Sequence, residues 1–175
     1  LEIRRAQGDR KEEAISLFVI GRVYTALGQP AKALDSFNQV LSIRRTLGDR
    51  KGEGDALNNL GEAYSTLGDT RKALECFFEA LPIKRELGDR DGEATTLNNI
   101  GLIYSNLGEK RKALDFYTQA ISLRETGASQ GISLSNVGAL YFELGELEKA
   151  LDFYMRALSL TRAAGDREAE AITVS

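Results

Sequence analysis

The chain repeats itself. Shifted by 40 residues, positions 41–80 match 81–120 at 22 of 40 places, and 1–40 match 41–80 at 18. Gly21, Gly61 and Gly101 keep the beat. Gly138 comes three residues early, a shortening that falls near Gly127 to Gln130, where LGDR gives way to TGASQ. A period of this length means stacked supersecondary units, none of which can bury its apolar face without its neighbours.

Each unit predicts two helices. Gly48 suits the position that ends a helix and Asp49 the N-cap of the next, its carboxylate accepting from backbone N–H groups. Leu57, Leu60, Gly61 and Tyr64 then fall at i, i+3, i+4 and i+7, one face of a helix. Leu67-Gly68-Asp69 repeats the stop and the cap, and Ala73, Leu74, Phe77, Ala80 and Leu81 form a second apolar stripe before Leu87-Gly88-Asp89 closes the unit. No segment alternates with the period of two that a strand needs, so the fold class is all-α.

Glycine in mid-helix costs about 1 kcal/mol relative to alanine. Its recurrence at Gly21, Gly61, Gly101 and Gly138 therefore implies a packing return. Gly61 and Ala73 are expected to let two backbones cross closely, with Tyr64 and Phe77 filling the space beside the crossing. Pro82 falls inside a second helix and predicts a kink or irregularity, whereas Pro30 suits a helix start. The basic pairs Arg44-Arg45 and Lys84-Arg85 recur on second helices and are expected to face outwards.

The pattern L-x-x-[LIV]-G-x-x-Y followed by A-x-x-x-[FY]-x-x-[AV] resembles the tetratricopeptide repeat. It is carried by Leu17, Ile20, Gly21, Tyr24, Ala33, Phe37 and Val40, by Leu57 to Ala80, by Leu97 to Ala120, and by Leu134, Val137, Gly138, Tyr141, Ala150, Tyr154 and Ala157. Two departures stand out: leucine replaces the usual first tryptophan, and the period is 40 rather than the family's usual length of about 34. The longer G-D-R-x-x-E form is similar to the repeats of kinesin light chains, of spindle-orientation adaptors and of bacterial arrays fused to CHAT-type protease or signalling domains. The resemblance implies a right-handed superhelix of helix pairs. Four full repeats are expected at 10–48, 49–88, 89–127 and 128–165, with partial repeats at 1–9 and 166–175.

The resemblance also implies that the first helix of each pair lines a concave wall. The stripe left over by the core there is Ile15, Val19, Arg22, Ala26 in the first unit and Asp55, Asn59, Glu62, Thr66 in the second. It is Thr95, Asn99, Leu102, Asn106 in the third and Ile132, Asn136, Ala139, Glu143 in the fourth. One column holds Asn59, Asn99 and Asn136, and Asn58 and Asn98 precede two of these. Asparagine is a mediocre helix former, so a column of it needs a reason. An amide offers donors and an acceptor that can pair with the main chain of an extended peptide, and related arrays use such a ladder. The alternative is that each amide bonds to a neighbouring helix and fixes the stacking. Arg22, Glu62, Leu102, Ser105, Asn106 and Phe142 are expected to line the same groove.

Composition narrows the function. With no His and one Cys, Cys76, in 175 residues, imidazole catalysis, His-ligated zinc and intrachain disulfides are excluded. Cys76 reads as a small, partly buried apolar residue. No phosphate-binding glycine loop or metal-ligand spacing is present, so no cofactor is implied and the segment does not read as an enzyme. A pI near 5.2 argues against a nucleic-acid binder, and no apolar run approaches a membrane span. Residues 1–50 carry nine basic and six acidic side chains and residues 51–175 carry 14 and 20, which reads first as a solvated surface of i,i+4 pairs and alternatively as orientation of a partner of opposite polarity.

The expected function is a cytoplasmic protein-interaction scaffold for an extended peptide or a partner domain. The alternative is an architectural spacer or a solenoid that self-associates end to end, for example around Ile172 and Val174. The missing initiator Met and the match of Leu1–Arg10 to Leu41–Arg50 suggest a piece of a longer protein.

Overall fold

The computed structural model describes residues 2–123 and 128–164, with side chains over 8–123 and 130–163. Within them the chain forms eight helices and no strand. These are α1 (Glu2–Ala26), α2 (Pro30–Thr46), α3 (Arg50–Thr66), α4 (Thr70–Glu86), α5 (Arg90–Asn106), α6 (Lys110–Leu123), α7 (Ala128–Glu143) and α8 (Leu147–Ala164). They divide into two compact units, residues 1–89 and 90–175. In the first, α1 packs on α2, α2 on α3 and α3 on α4; in the second, α5 packs on α6, α6 on α7 and α7 on α8.

Three-residue turns follow α1, α2, α3, α4, α5 and α7, and at 47–49 one residue serves both sides of the turn. At Gly48, with φ +66°, the backbone enters the left-handed region that side chains disfavour. There Gly48 N–H donates to Arg45 C=O and Asp49 N–H to Arg44 C=O, the pair of bonds that closes a Schellman motif. Asp49 then opens α3, its carboxylate accepting from Gly52 N–H at 2.9 Å. Asp69 does the same for α4 through Lys72 N–H at 3.2 Å. Pro30 takes the first position of α2, as expected.

Gly8-Asp9, the counterpart of Gly48-Asp49, makes no turn: α1 runs through it from Glu2 to Ala26. The shortened junction at 124–127 and the segment 166–175, with Ile172 and Val174, lie outside the described residues.

The packing return on the helical glycines comes from an aromatic ring. A Cβ on Gly61 would sit 2.6–2.8 Å from three atoms of the Phe77 ring, and one on Gly21 2.6–2.9 Å from Phe37. On Gly101 it would lie 2.7 Å from two Tyr117 atoms, and on Gly138 3.2–3.3 Å from Tyr154. The ring lies on the glycine face itself, not beside a glycine–alanine crossing as the spacing suggests. Two of these rings also reach the next repeat. Phe37 on α2 covers Gly21 of α1 and clusters with Ala33 and with Leu60 of α3. In the second unit Tyr117 of α6 clusters with Val137 and Leu140 of α7. Burying a side chain of this size contributes about 1.5–3 kcal/mol.

One expectation is narrowed and one corrected. α4 continues through Pro82 to Glu86, with the same 17 residues as α2 and α3, so the proline does not end the helix early. Pro82 is exposed, and so is Phe78, whose carbonyl loses its i+4 donor on the solvent side of the helix. The basic pairs do not face outwards as pairs. Arg45 and Arg85 are exposed, but Lys84 is 3% exposed and the Arg44 side chain only 16%.

Candidate peptide-binding surface

In the first unit, α3 presents Asn58 and Asn59 half-buried, with Glu62 exposed one turn further on. Asn58 Nδ2 donates to Glu62 Oε1 at 3.1 Å, and Asn59 Nδ2 donates to the Asp55 carbonyl of its own helix at 2.8 Å. Each bond uses one of the two N–H groups of the amide. Arg22 lies exposed on α1, flanked by the exposed Val19 and Val23.

In the second unit, α5 and α7 lie in contact, and Asn136 Nδ2 donates to Asn98 Oδ1 at 3.2 Å. The pair ties the first helix of one repeat to the first helix of the next, the stacking role weighed for these amides. Asn98, Asn99, Ser105 and Asn136 are half-buried and Asn106 is exposed. Apolar groups flank the pair: Leu102 is 46% exposed, Phe142 63%, and Ile132, on the same helix as Asn136, 53%. Ile132 belongs to the stripe read from sequence, where it shares its position with Ile15, Asp55 and Thr95, but not to the candidate residues.

A polar network sequence reasoning missed ties the helices of the first unit together. Glu53, 7% exposed, accepts from Arg45 Nε at 2.9 Å and from Arg50 Nη1 at 2.7 Å. Burial alone would raise its pKa, but the two guanidinium groups outweigh it and hold the carboxyl below its ordinary value. Lys84 Nζ meets Asp89 Oδ2 at 2.9 Å and also pairs with Asp55 Oδ1. Desolvation pulls its pKa down, and the hydrogen bonds it donates to these two carboxylates more than reverse it. Asp55, in the stripe read as groove lining, is thus engaged by the core lysine. The signal was a fixed offset: a basic residue five places before the aspartate of the Gly-Asp step in Arg44/Asp49 and in Lys84/Asp89.

Cys76 is half-buried, and burial together with the carboxylates of Glu79 and Glu75 pushes its thiol up to about 11. Among the described residues, no group of three or more His, Cys, Asp and Glu side chains is placed to hold a metal ion. No helix among them is long and apolar enough to cross a membrane.

A tetratricopeptide repeat model matches residues 52–126, and two more models of the same description match 16–51 and 132–164. The chain belongs to the tetratricopeptide repeat family. Solved structures of similar fold include aspartyl phosphate phosphatase F from Bacillus subtilis, with a TM-score of 0.86 at 18% identity over 94% of this chain and 44% of that one. A Rap protein complexed with competence and sporulation factor has a TM-score of 0.87 at 18% identity, over 94% of this chain and 47% of that one. The nearly identical TPR-like repeats of a putative kinesin light chain from Podosopora anserina give 0.70 at 16% identity, over 90% and 80%. This chain thus spans less than half the length of the first two, and at these identities the likeness is one of fold. No curated protein is significantly similar in sequence. In tetratricopeptide repeat terms, the glycine–aromatic contacts are the junction inside each helix pair, and the asparagine column lies on the first helix of the pair.

Proposed function

We propose that this chain is a protein-interaction scaffold whose first helices bind an extended peptide or a segment of a partner domain. The observation that carries the reading is the half-buried Asn98–Asn136 amide pair at 3.2 Å, bordered by exposed Leu102, Ile132 and Phe142. Amides fixed at a helix junction are pre-organised for main-chain hydrogen bonds, and a rigid scaffold loses little entropy when a peptide is added. The exposed apolar side chains then take the peptide's side chains. In sequence Asn99 belongs to the same column, with Ser105 and Asn106 on the same helix; in the first unit, read by itself, Asn59 holds that column position, with Asn58 and Glu62 on α3 and Arg22 on α1. The similar Rap structure, solved with competence and sporulation factor, supports the reading by fold analogy.

The test selects peptides from a random displayed library on the immobilised chain and measures the survivors by calorimetry. Asn136→Ala and Phe142→Asp are each expected to weaken binding at least about tenfold, equivalent to about 1.4 kcal/mol, with helicity unchanged. Peptides that bind both variants as tightly as the original chain would refute the assignment.

A further inference from the structure

The first helices of the second unit have lost their charges. α5 carries no Asp, Glu, Lys or Arg from Ala94 to Leu107, and α7 none from Ala128 to Phe142, in a chain that is 28% charged. The second helices of the same unit keep theirs, beginning with Lys110, Arg111 and Lys112 in α6 and with Glu148 and Lys149 in α8. In the first unit the first helices are charged along their length, from Arg10 to Arg22 in α1 and from Arg50 to Glu62 in α3. One column shows the change most plainly: Arg22 and Glu62, both exposed, have Leu102 and Ala139 as their counterparts. Loss of charge at a buried position is ordinary packing, but Leu102 is 46% exposed.

The polar groups that remain on this face are neutral. Asn136 donates to Asn98 at 3.2 Å, which uses one of its two N–H groups and joins α7 to α5. Ile132 and Phe142 of α7 add further exposed apolar surface. Where the neutral stretch of α7 ends, Glu143 is held by Lys110 at 3.2 Å, so the charges at that rim are paired with each other. An exposed apolar patch with a polar rim marks a surface that another molecule covers.

Resting on the peptide-binding reading above, we infer that the second unit takes an uncharged segment: an extended stretch of aliphatic or aromatic side chains, without Asp, Glu, Lys or Arg where it crosses α5 and α7. Its main chain pairs with the amides, and its side chains lie on Leu102, Ile132 and Phe142. A charged side chain there would lose its water against an apolar wall and gain no counter-charge from the neutral stretches of either helix. An apolar side chain meets no such penalty. The face therefore selects by excluding charge, and because no ion pair crosses it, added salt leaves the contact intact.

The test selects peptides from a random displayed library on the full chain and measures the winners by calorimetry. The winners are expected to share a run of uncharged residues, and replacing a central apolar residue of a winner by Asp or by Lys should each weaken binding at least about tenfold. Raising sodium chloride about tenfold should not weaken the original peptide. Leu102→Lys, at an exposed helical position, should lose the uncharged peptide and bind its Asp variant more tightly than the unmodified chain does. Circular dichroism reports whether this variant folds; the peptide substitutions and the salt series use the unmodified chain and decide the question even if it does not. Winners that move the side-chain amide signals of Asn98 and Asn136 yet tolerate Asp and Lys, or lose affinity steeply with salt, would overturn the inference and leave the peptide-binding reading standing. Winners that leave both signals unmoved, or a library that yields none, would overturn that reading and the inference with it. Nuclear Overhauser contacts between Leu102 and Ile172 in the peptide-free chain would also overturn the inference, since residues 166–175 would then be the occupant.

Discussion

Replacing Gly61 by alanine sets two effects of known size against each other. Alanine is a better mid-helix residue by about 1 kcal/mol. The new Cβ, however, would stand 2.6–2.8 Å from three atoms of the Phe77 ring, and Phe77 is 1% exposed with the core closed around it. Overpacking of a filled core costs about 1–3 kcal/mol, and a clash this short with a ring that has nowhere to go lies at the upper end. The expected net effect is a loss of about 2 kcal/mol. Gly138 supplies the control. Its added Cβ would meet Tyr154 at 3.2–3.3 Å, and Tyr154 is half-buried and able to give. Overpacking there costs about 1 kcal/mol, so Gly138→Ala should come out near zero. Urea unfolding followed by circular dichroism measures both. Adding Phe77→Leu to Gly61→Ala should also cost about 1–2 kcal/mol less than the same change in the parent. Equal effects at Gly61 and Gly138, or a more stable Gly61→Ala variant, would refute the idea that the ring demands the glycine.

Other perturbations follow from the polar groups. The Gly52 N–H and the Arg44 guanidinium hold the Asp49 carboxyl below its ordinary value, and Arg45 and Arg50 hold Glu53 below its own despite burial. Both groups therefore contribute stability that is present above the unfolded pKa of about 4 and is lost as pH falls through the lower folded values. Urea midpoints should stay level from about pH 7 to 5 and drop below about pH 4; midpoints level down to about pH 3 would contradict this. Lys84→Met removes a cation held by two carboxylates, and because Asp55 and Asp89 keep access to solvent (41% and 29% side-chain exposure), the cost should be about 2 kcal/mol rather than the larger penalty of a sealed pair. A loss under a few tenths in the same urea assay would show the pair to be ornamental. Cys76, with its thiol pushed to about 11, should react with a disulfide reagent at pH 8 far more slowly in the folded chain than in urea; equal rates would contradict its burial.

The turns and the helix faces were legible because each rests on local chemistry. The Gly48-Asp49 step carries both the left-handed turn and the cap in two letters, and the Leu57–Tyr64 spacing names the buried face. Gly8-Asp9 shows the limit: the same two letters lie inside a continuous α1. What meets a glycine depends on the neighbouring helix, so spacing found the small residues but not the ring seated on them. Lys84 was misread because charge alone argues for solvent; only its pairing with Asp55, 29 residues away, shows it facing inward. The asparagines were legible as a column. Which of two adjacent amides reaches the next repeat was not, because a rotation of the helix by a fraction of a turn decides it, and it is Asn98 that meets Asn136.

The most direct measurement for the proposed function is a nitrogen-15 spectrum of the chain titrated with a peptide selected on it. The side-chain amide signals of Asn59, Asn99 and Asn136, together with the backbone signals of Leu102 and Phe142, should move saturably with the peptide. Saturable shifts confined to α2, α4, α6 and α8, with those amides still, would mean that the asparagine column serves the stacking of repeats and that partners bind elsewhere.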